Sequence, residues 1–149
     1  MSITMTNLQQ AFAGESQAYT TYRYFAKIAR AEGHEDIAQH FEHTAEQELL
    51  HAHGHLELIV GKIDTKDALE RAISGETHEY TLMYPTMKEQ AIAEGNEVAA
   101  KEAEHQISES KEHAEQFAAV LARAEKRFAA LQRVEKRHAE AYSRVLEAL

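Results

Sequence analysis

Two pairs of residues in this 149-residue chain have the types and spacing of metal ligands, Glu48-Leu-Leu-His51 and Glu135-Lys-Arg-His138. On an α-helix, residues three apart are neighbours on one face, so each pair directs a carboxylate and an imidazole at the same point. A carboxylate can bridge two cations while an imidazole caps one, and two such pairs joined by further Glu make a dinuclear site inside a helical bundle. The further Glu are Glu15, in Ala13-Gly-Glu-Ser-Gln-Ala18, and Glu76, in Ser74-Gly-Glu-Thr-His-Glu-Tyr80, where Glu79 follows three residues on. With 25 acidic residues and 10 His in the chain, one Glu-x-x-His arises easily by chance. Both copies, however, carry a Phe seven residues before the Glu, Phe41 and Phe128, two turns away on the same face.

Glu15, Glu48, His51, Glu76, Glu79, Glu135 and His138 together form an oxygen-rich ligand set with two imidazoles. That mixture favours iron or manganese over structural zinc, which takes thiolates more often. Five carboxylates facing one another in a core repel unless cations compensate them. Two ferrous ions held about 3.5–4 Å apart by bridging carboxylates can together give two electrons to peroxide or dioxygen, where one supplies only one. The chain has no Cys, which excludes disulfides, thiolate catalysis and iron–sulfur or rubredoxin-type iron within it.

The elements that must hold these residues are helices. Hydrophobic residues make up 44% of the chain, with one Pro and six Gly, as suits one mostly helical domain over residues 1–149. A net charge of −9 with scattered basic residues argues against a nucleic-acid surface. The N-terminus has no basic stretch leading into an apolar run and no segment has the length to cross a bilayer, so a cytoplasmic location is expected. Thr6 or Asn7 caps a first helix that runs to about Glu32 and stops at Gly33, and a second runs from about Glu35 to Val60 and stops at Gly61. Thr65 caps a third, from Lys66 to about Glu94 and kinked by Pro85, and Asn96 caps a fourth stretch without Gly or Pro to Leu149.

The halves of the chain repeat. Phe12-Ala-Gly-Glu-Ser-Gln-Ala-Tyr19 matches Ile73-Ser-Gly-Glu-Thr-His-Glu-Tyr80, and Ala31-Glu-Gly33 matches Ala93-Glu-Gly95. Two helix hairpins of like design, each too narrow to bury its apolar face alone, predict a four-helix bundle. Aligned on Gly33 and Gly95, the repeat sets Ser110 opposite Glu48 and His113 opposite His51. The second hairpin has lost its Glu there, and the full pattern returns 25 residues later at Glu135 and His138. The spacing is that of a helical insertion around residues 96–121.

These motifs resemble those of the rubrerythrins, of the ferritin-like di-iron superfamily. The residues that carry the likeness are Phe12-Ala-Gly-Glu-Ser-Gln-Ala, Glu48-x-x-His51, Gly75-Glu76-x-x-Glu79-Tyr-Thr-x-Met83-Tyr84-Pro85 and Glu135-x-x-His138. The resemblance implies a ferritin-like four-helix bundle with an extended C-terminal helical segment. It implies two iron ions per site, manganese being possible, with Glu48 and Glu135 bridging and Glu15 and Glu76 completing the core carboxylates. His138 would bind one iron, Glu79 and His51 would alternate at the other, and Tyr22 and Tyr84 would hydrogen-bond ligand carboxylates. The implied activity is that of a non-haem di-iron peroxidase reducing hydrogen peroxide to water. The alternative is ferroxidase, iron-storage or iron-handling work on the same site. Because this chain lacks the Cys-rich rubredoxin domain, its electrons would come from an external donor protein such as a rubredoxin.

Two geometric expectations follow. Helices two and three run parallel in a ferritin-like bundle, so their link must span roughly 33 Å at 1.5 Å per residue. Gly61 to Thr65 reaches only about 18 Å when extended. A helix-swapped homodimer is therefore expected, with Glu15, Glu48 and His51 from one chain meeting Glu76 and Glu79 from the other. Past Ser110, either a turn near Ala122 returns Glu135 to the level of Glu76, or an unbroken helix carries it about 37 Å onward into another bundle. Leu121-Ala-Arg-Ala-Glu-Lys-Arg127 has strong helix formers and no turn chemistry, which favours continuity. On either path Glu135 and His138 are expected as ligands and His113 as spare.

Overall fold

The structure, a computed structural model, describes residues 2–147. As the sequence predicts, these are helical throughout except for short connections: α1 (Ile3–Ala31), α2 (Glu35–Val60), α3 (Thr65–His78), α4 (Tyr84–Ala93) and α5 (Glu97–Glu147). A π-helical segment, Glu79–Met83, joins α3 to α4, so the described residues form four long helices, the third interrupted. Two compact units divide it, Met1–Ile63 and Asp64–Leu149.

The first unit is the α1–α2 hairpin. Its first helix starts earlier than the Thr6 or Asn7 cap predicts, because Ser2 Oγ accepts a hydrogen bond from the Met5 N–H and nucleates the turn upstream. Gly33, with φ +84°, turns the chain into α2 in a conformation that costs other residues a Cβ clash. Across this turn the Arg30 guanidinium donates to Glu35 Oε2 at 3.0 Å and to Glu42 Oε1 at 2.9 Å. The seam between the helices is alanine: Ala26, Ala29, Ala38, Ala45 and Ala52 are buried. Small side chains let the two backbones approach, and Phe41 covers the upper end, 5.6 Å from the Phe25 ring and 6.0 Å from Tyr22. Large apolar residues remain on the flank, with Leu50 69% and Leu58 66% exposed.

In the second unit, Asp64 rather than Thr65 is the cap of α3, because its carboxylate can join a reciprocal box. Asp64 Oδ1 accepts from the Asp67 N–H at 2.9 Å, and Asp67 Oδ2 accepts from the Asp64 N–H at 3.3 Å. The disturbance predicted at Pro85 takes the form of the π segment just before it. There the Tyr84 N–H donates to the Glu79 carbonyl five residues back, a wider loop that accommodates the missing proline donor. Gly95, φ +73°, makes the next turn, and Asn96 caps α5 by accepting from the Ala99 N–H. Of the two paths open to the fourth helix the structure takes the continuous one, a single helix of 51 residues.

Candidate metal centre

In the first unit, α1 supplies Glu15 and α2 supplies Glu48 and His51. Helix α2 offers its pair on one turn, and the alanine seam draws α1 close enough for Glu15 to join. One ligand atom from each of the three lies within 4.8 Å of the others. His51 Nδ1 is 3.1 Å from Glu48 Oε2. The Glu15 carboxyl is pushed above the usual carboxylate range, chiefly by its hydrogen bond with Glu48, then by burial and the Glu48 charge, with His51 and His55 pulling the other way. Two carboxylates this close repel each other, and a cation between them can relieve that repulsion.

In the second unit, α3 and the π segment supply Glu76 and Glu79, and α5 faces them with Ser110 and His113. Ser110 is 3% exposed, and its hydroxyl donates to Glu79 Oε2 at 2.9 Å. His113 Nδ1 lies 3.4 Å from Glu76 Oε2. That Glu76 oxygen is buried with no hydrogen-bond donor, which is costly for a carboxylate and fits a cation ligand. Tyr84 stands at the same level, its phenol pushed up by burial first and then by the charges of Glu79, Glu102 and Glu76, so it keeps its proton as a donor. Tyr22, by contrast, packs on Phe41.

The structure thus gathers five of the seven expected ligands into two half-sites. It does not bring Glu135 and His138 to the half-site of their own unit. Both are exposed on α5, and Glu135 lies 25 residues, about 37 Å of helix, beyond Ser110. The residue missed as a ligand candidate is His113. The signal was present, since the repeat sets it opposite His51, but a serine where the motif needs a carboxylate hides it.

Comparison with known proteins bears on these half-sites. The rubrerythrin family model matches residues 6–121. That stretch includes residues 96–121, the expected insertion, and stops before the distal part of α5. A rubrerythrin of Porphyromonas gingivalis is 40% identical over 128 residues, covering 70% of this chain and 63% of the relative. A rubrerythrin of Nitratidesulfovibrio vulgaris is 41% identical over 113 residues, covering 67% of this chain and 59% of its own length. This chain therefore spans about three fifths of the length of these relatives. A solved structure of fully reduced, all-ferrous nigerythrin aligns with a TM-score of 0.42 at 31% identity, covering 84% of this chain and 69% of that one. On the family match and the shared identity, the chain belongs to the rubrerythrin family.

Proposed function

We propose that the chain is a non-haem di-iron peroxidase of the rubrerythrin type, reducing hydrogen peroxide to water with electrons from an external donor protein such as a rubredoxin. The observation that carries this reading is the convergence of Glu15, Glu48 and His51, matched by the orphaned Glu76 oxygen beside His113. Bound by such ligands, two ferrous ions would supply the two electrons that, with two protons, reduce one hydrogen peroxide to two waters; manganese could occupy the same oxygen-rich set. Glu15, Glu48 and His51 would hold one side and Glu76, Glu79 and His113 the other. Ser110 steadies Glu79 through its hydrogen bond, and the protonated Tyr84 can donate to a neighbouring carboxylate. Glu135 and His138 lie too far along α5 to join Glu76 and Glu79 of their own unit.

Neither hairpin supplies a full set of ligands, and the short link after Val60 favours the swapped homodimer, each centre taking Glu15, Glu48 and His51 from one chain and Glu76 and Glu79 from the other. A mixture of a Glu15→Ala chain and a Glu76→Ala chain would then regain one intact centre per dimer, whereas centres built within single chains would regain none. Among the described residues no helix is long and apolar enough to cross a membrane.

Stopped-flow mixing of the ferrous-loaded protein with hydrogen peroxide tests the activity. Fast oxidation with the iron retained is the expected result. Release or accumulation of iron would mean iron handling instead, and absence of reaction would leave a metal-stabilised module.

A further inference from the structure

The unused part of the molecule is the distal half of α5. Every residue from Glu125 to Glu147 is exposed, among them large apolar ones: Phe128 65%, Leu131 57%, Tyr142 72% and Val145 61%. Most helical stability in proteins comes from packing an apolar face, and this stretch leaves its apolar face exposed.

That face has a pattern. In the proximal half, Ala100, Ala103, Ile107, Ser110 and Ala114 pack toward α3 and α4 in steps of three and four. The same alternation runs on without a slip through Phe117, Leu121, Ala124, Phe128 and Leu131, then through Glu135, His138, Tyr142 and Val145. This is a heptad seam, and its distal part continues an interface already formed in the proximal part. Positions flanking the distal seam are mostly neutral, Gln132, Val134, Ala139 and Ala141, while Lys126, Arg133, Lys136 and Arg137 fall on the opposite face.

The polar pair in the middle of the seam says what covers it. In a parallel pair of copies, Glu135 would meet the partner's Glu135 and His138 the partner's His138. In an antiparallel pair centred between Lys136 and Arg137, Glu135 meets the partner's His138, and His138 meets the partner's Glu135. The same register sets Leu131 against the partner's Tyr142 and Phe128 against the partner's Val145. The seam is complementary to itself in one direction only, and a buried polar pair fixes register and direction at some cost in stability.

We propose that the distal half of α5 is a docking surface for the same segment of a second copy, paired antiparallel, with Glu135 and His138 as the pair that sets direction and register. The proposal stands whether or not the metal centre turns over peroxide.

The chain has no Cys, so two single-cysteine chains, Leu131→Cys and Tyr142→Cys, can be used directly. Mixed under mild oxidation they should give a cross-linked heterodimer, while Leu131→Cys alone should not cross-link. Light scattering should find that Phe128→Glu with Leu131→Glu halves the mass of the full chain, leaving helical content and metal stoichiometry unchanged. His138→Glu alone sets carboxylate against carboxylate and should lower the mass, and adding Glu135→His should restore it. Cross-linking by Leu131→Cys alone would mean a parallel pair and overturn the proposal. Absence of the mixed cross-link, an unchanged mass in the Phe128→Glu, Leu131→Glu chain, or no recovery in the swapped chain would overturn it as well.

Discussion

Removing His113 and removing Glu135 should have opposite consequences for metal binding. His113 Nδ1 stands 3.4 Å from the buried, donorless Oε2 of Glu76, within reach of any cation that oxygen holds. Glu135 is about 33 Å further along an unbroken helix, beyond several screening lengths at physiological salt. Replacing only an outer partner of a metal ligand costs about 10- to 100-fold in affinity, so losing the imidazole itself should cost at least that. His113→Ala should therefore bind one manganous or ferrous ion about 100-fold more weakly in an anaerobic titration. Glu135→Ala should titrate like the wild type. Metal analysis of both proteins after desalting gives an independent count. If Glu135→Ala loses metal while His113→Ala keeps it, the fourth helix contributes through its distal pair, as the motif alone suggests, and the assignment of His113 fails.

Three further outcomes are expected. Ser110→Ala removes a hydrogen bond from a nearly buried hydroxyl to a carboxylate, and should lower the urea stability of the metal-free protein by about 1.5–3 kcal/mol; an unchanged midpoint would mean that Glu79 finds another partner. Gly33→Ala meets open space but keeps φ at +84°, so its cost, about 1–2 kcal/mol, is backbone strain alone and should appear in the same measurement. The hydrogen bonds from Arg30, first among the causes, hold the Glu35 and Glu42 carboxyls below the usual carboxylate range. With folded-state values depressed, their contribution is present above the ordinary carboxylate pKa and is lost as pH falls through the lower folded one. Melting of Arg30→Ala should accordingly show less loss of Tm below about pH 4 than the wild type. Parallel acid limbs would sink that reading.

The helix ends were legible where glycine wrote them. Gly33, Gly61 and Gly95 all take positive φ and all stand where the sequence stops a helix, because no other residue adopts that geometry cheaply. The starts were less so, for a cap needs only one side-chain oxygen and several compete for each turn. Ser2 displaced Thr6 and Asn7, and Asp64 displaced Thr65 once Asp67 could answer it. Pro85 announced a disturbance without its form, since a missing donor can be met by a kink or by one wider turn, and local packing chooses.

The candidate site divides along the same line between what a motif states and what a register states. Glu15, Glu48, His51, Glu76 and Glu79 could be named because each sits in a motif of the right residue types, and the structure sets each in the half-site of its own unit. Ser110 and His113 could not be named that way. Their claim rests on position alone, opposite Glu48 and His51 in the repeat, and a hydroxyl is no carboxylate. What reveals them is the unbroken α5, which fixes height along the helix as strictly as it fixes face. Nearly seven whole turns separate Ser110 from Glu135, so the two share a face while differing in height by more than the length of α3. A periodic motif cannot tell those positions apart, but the buried oxygen of Glu76 can, because only the residues at its own level are able to share a cation with it.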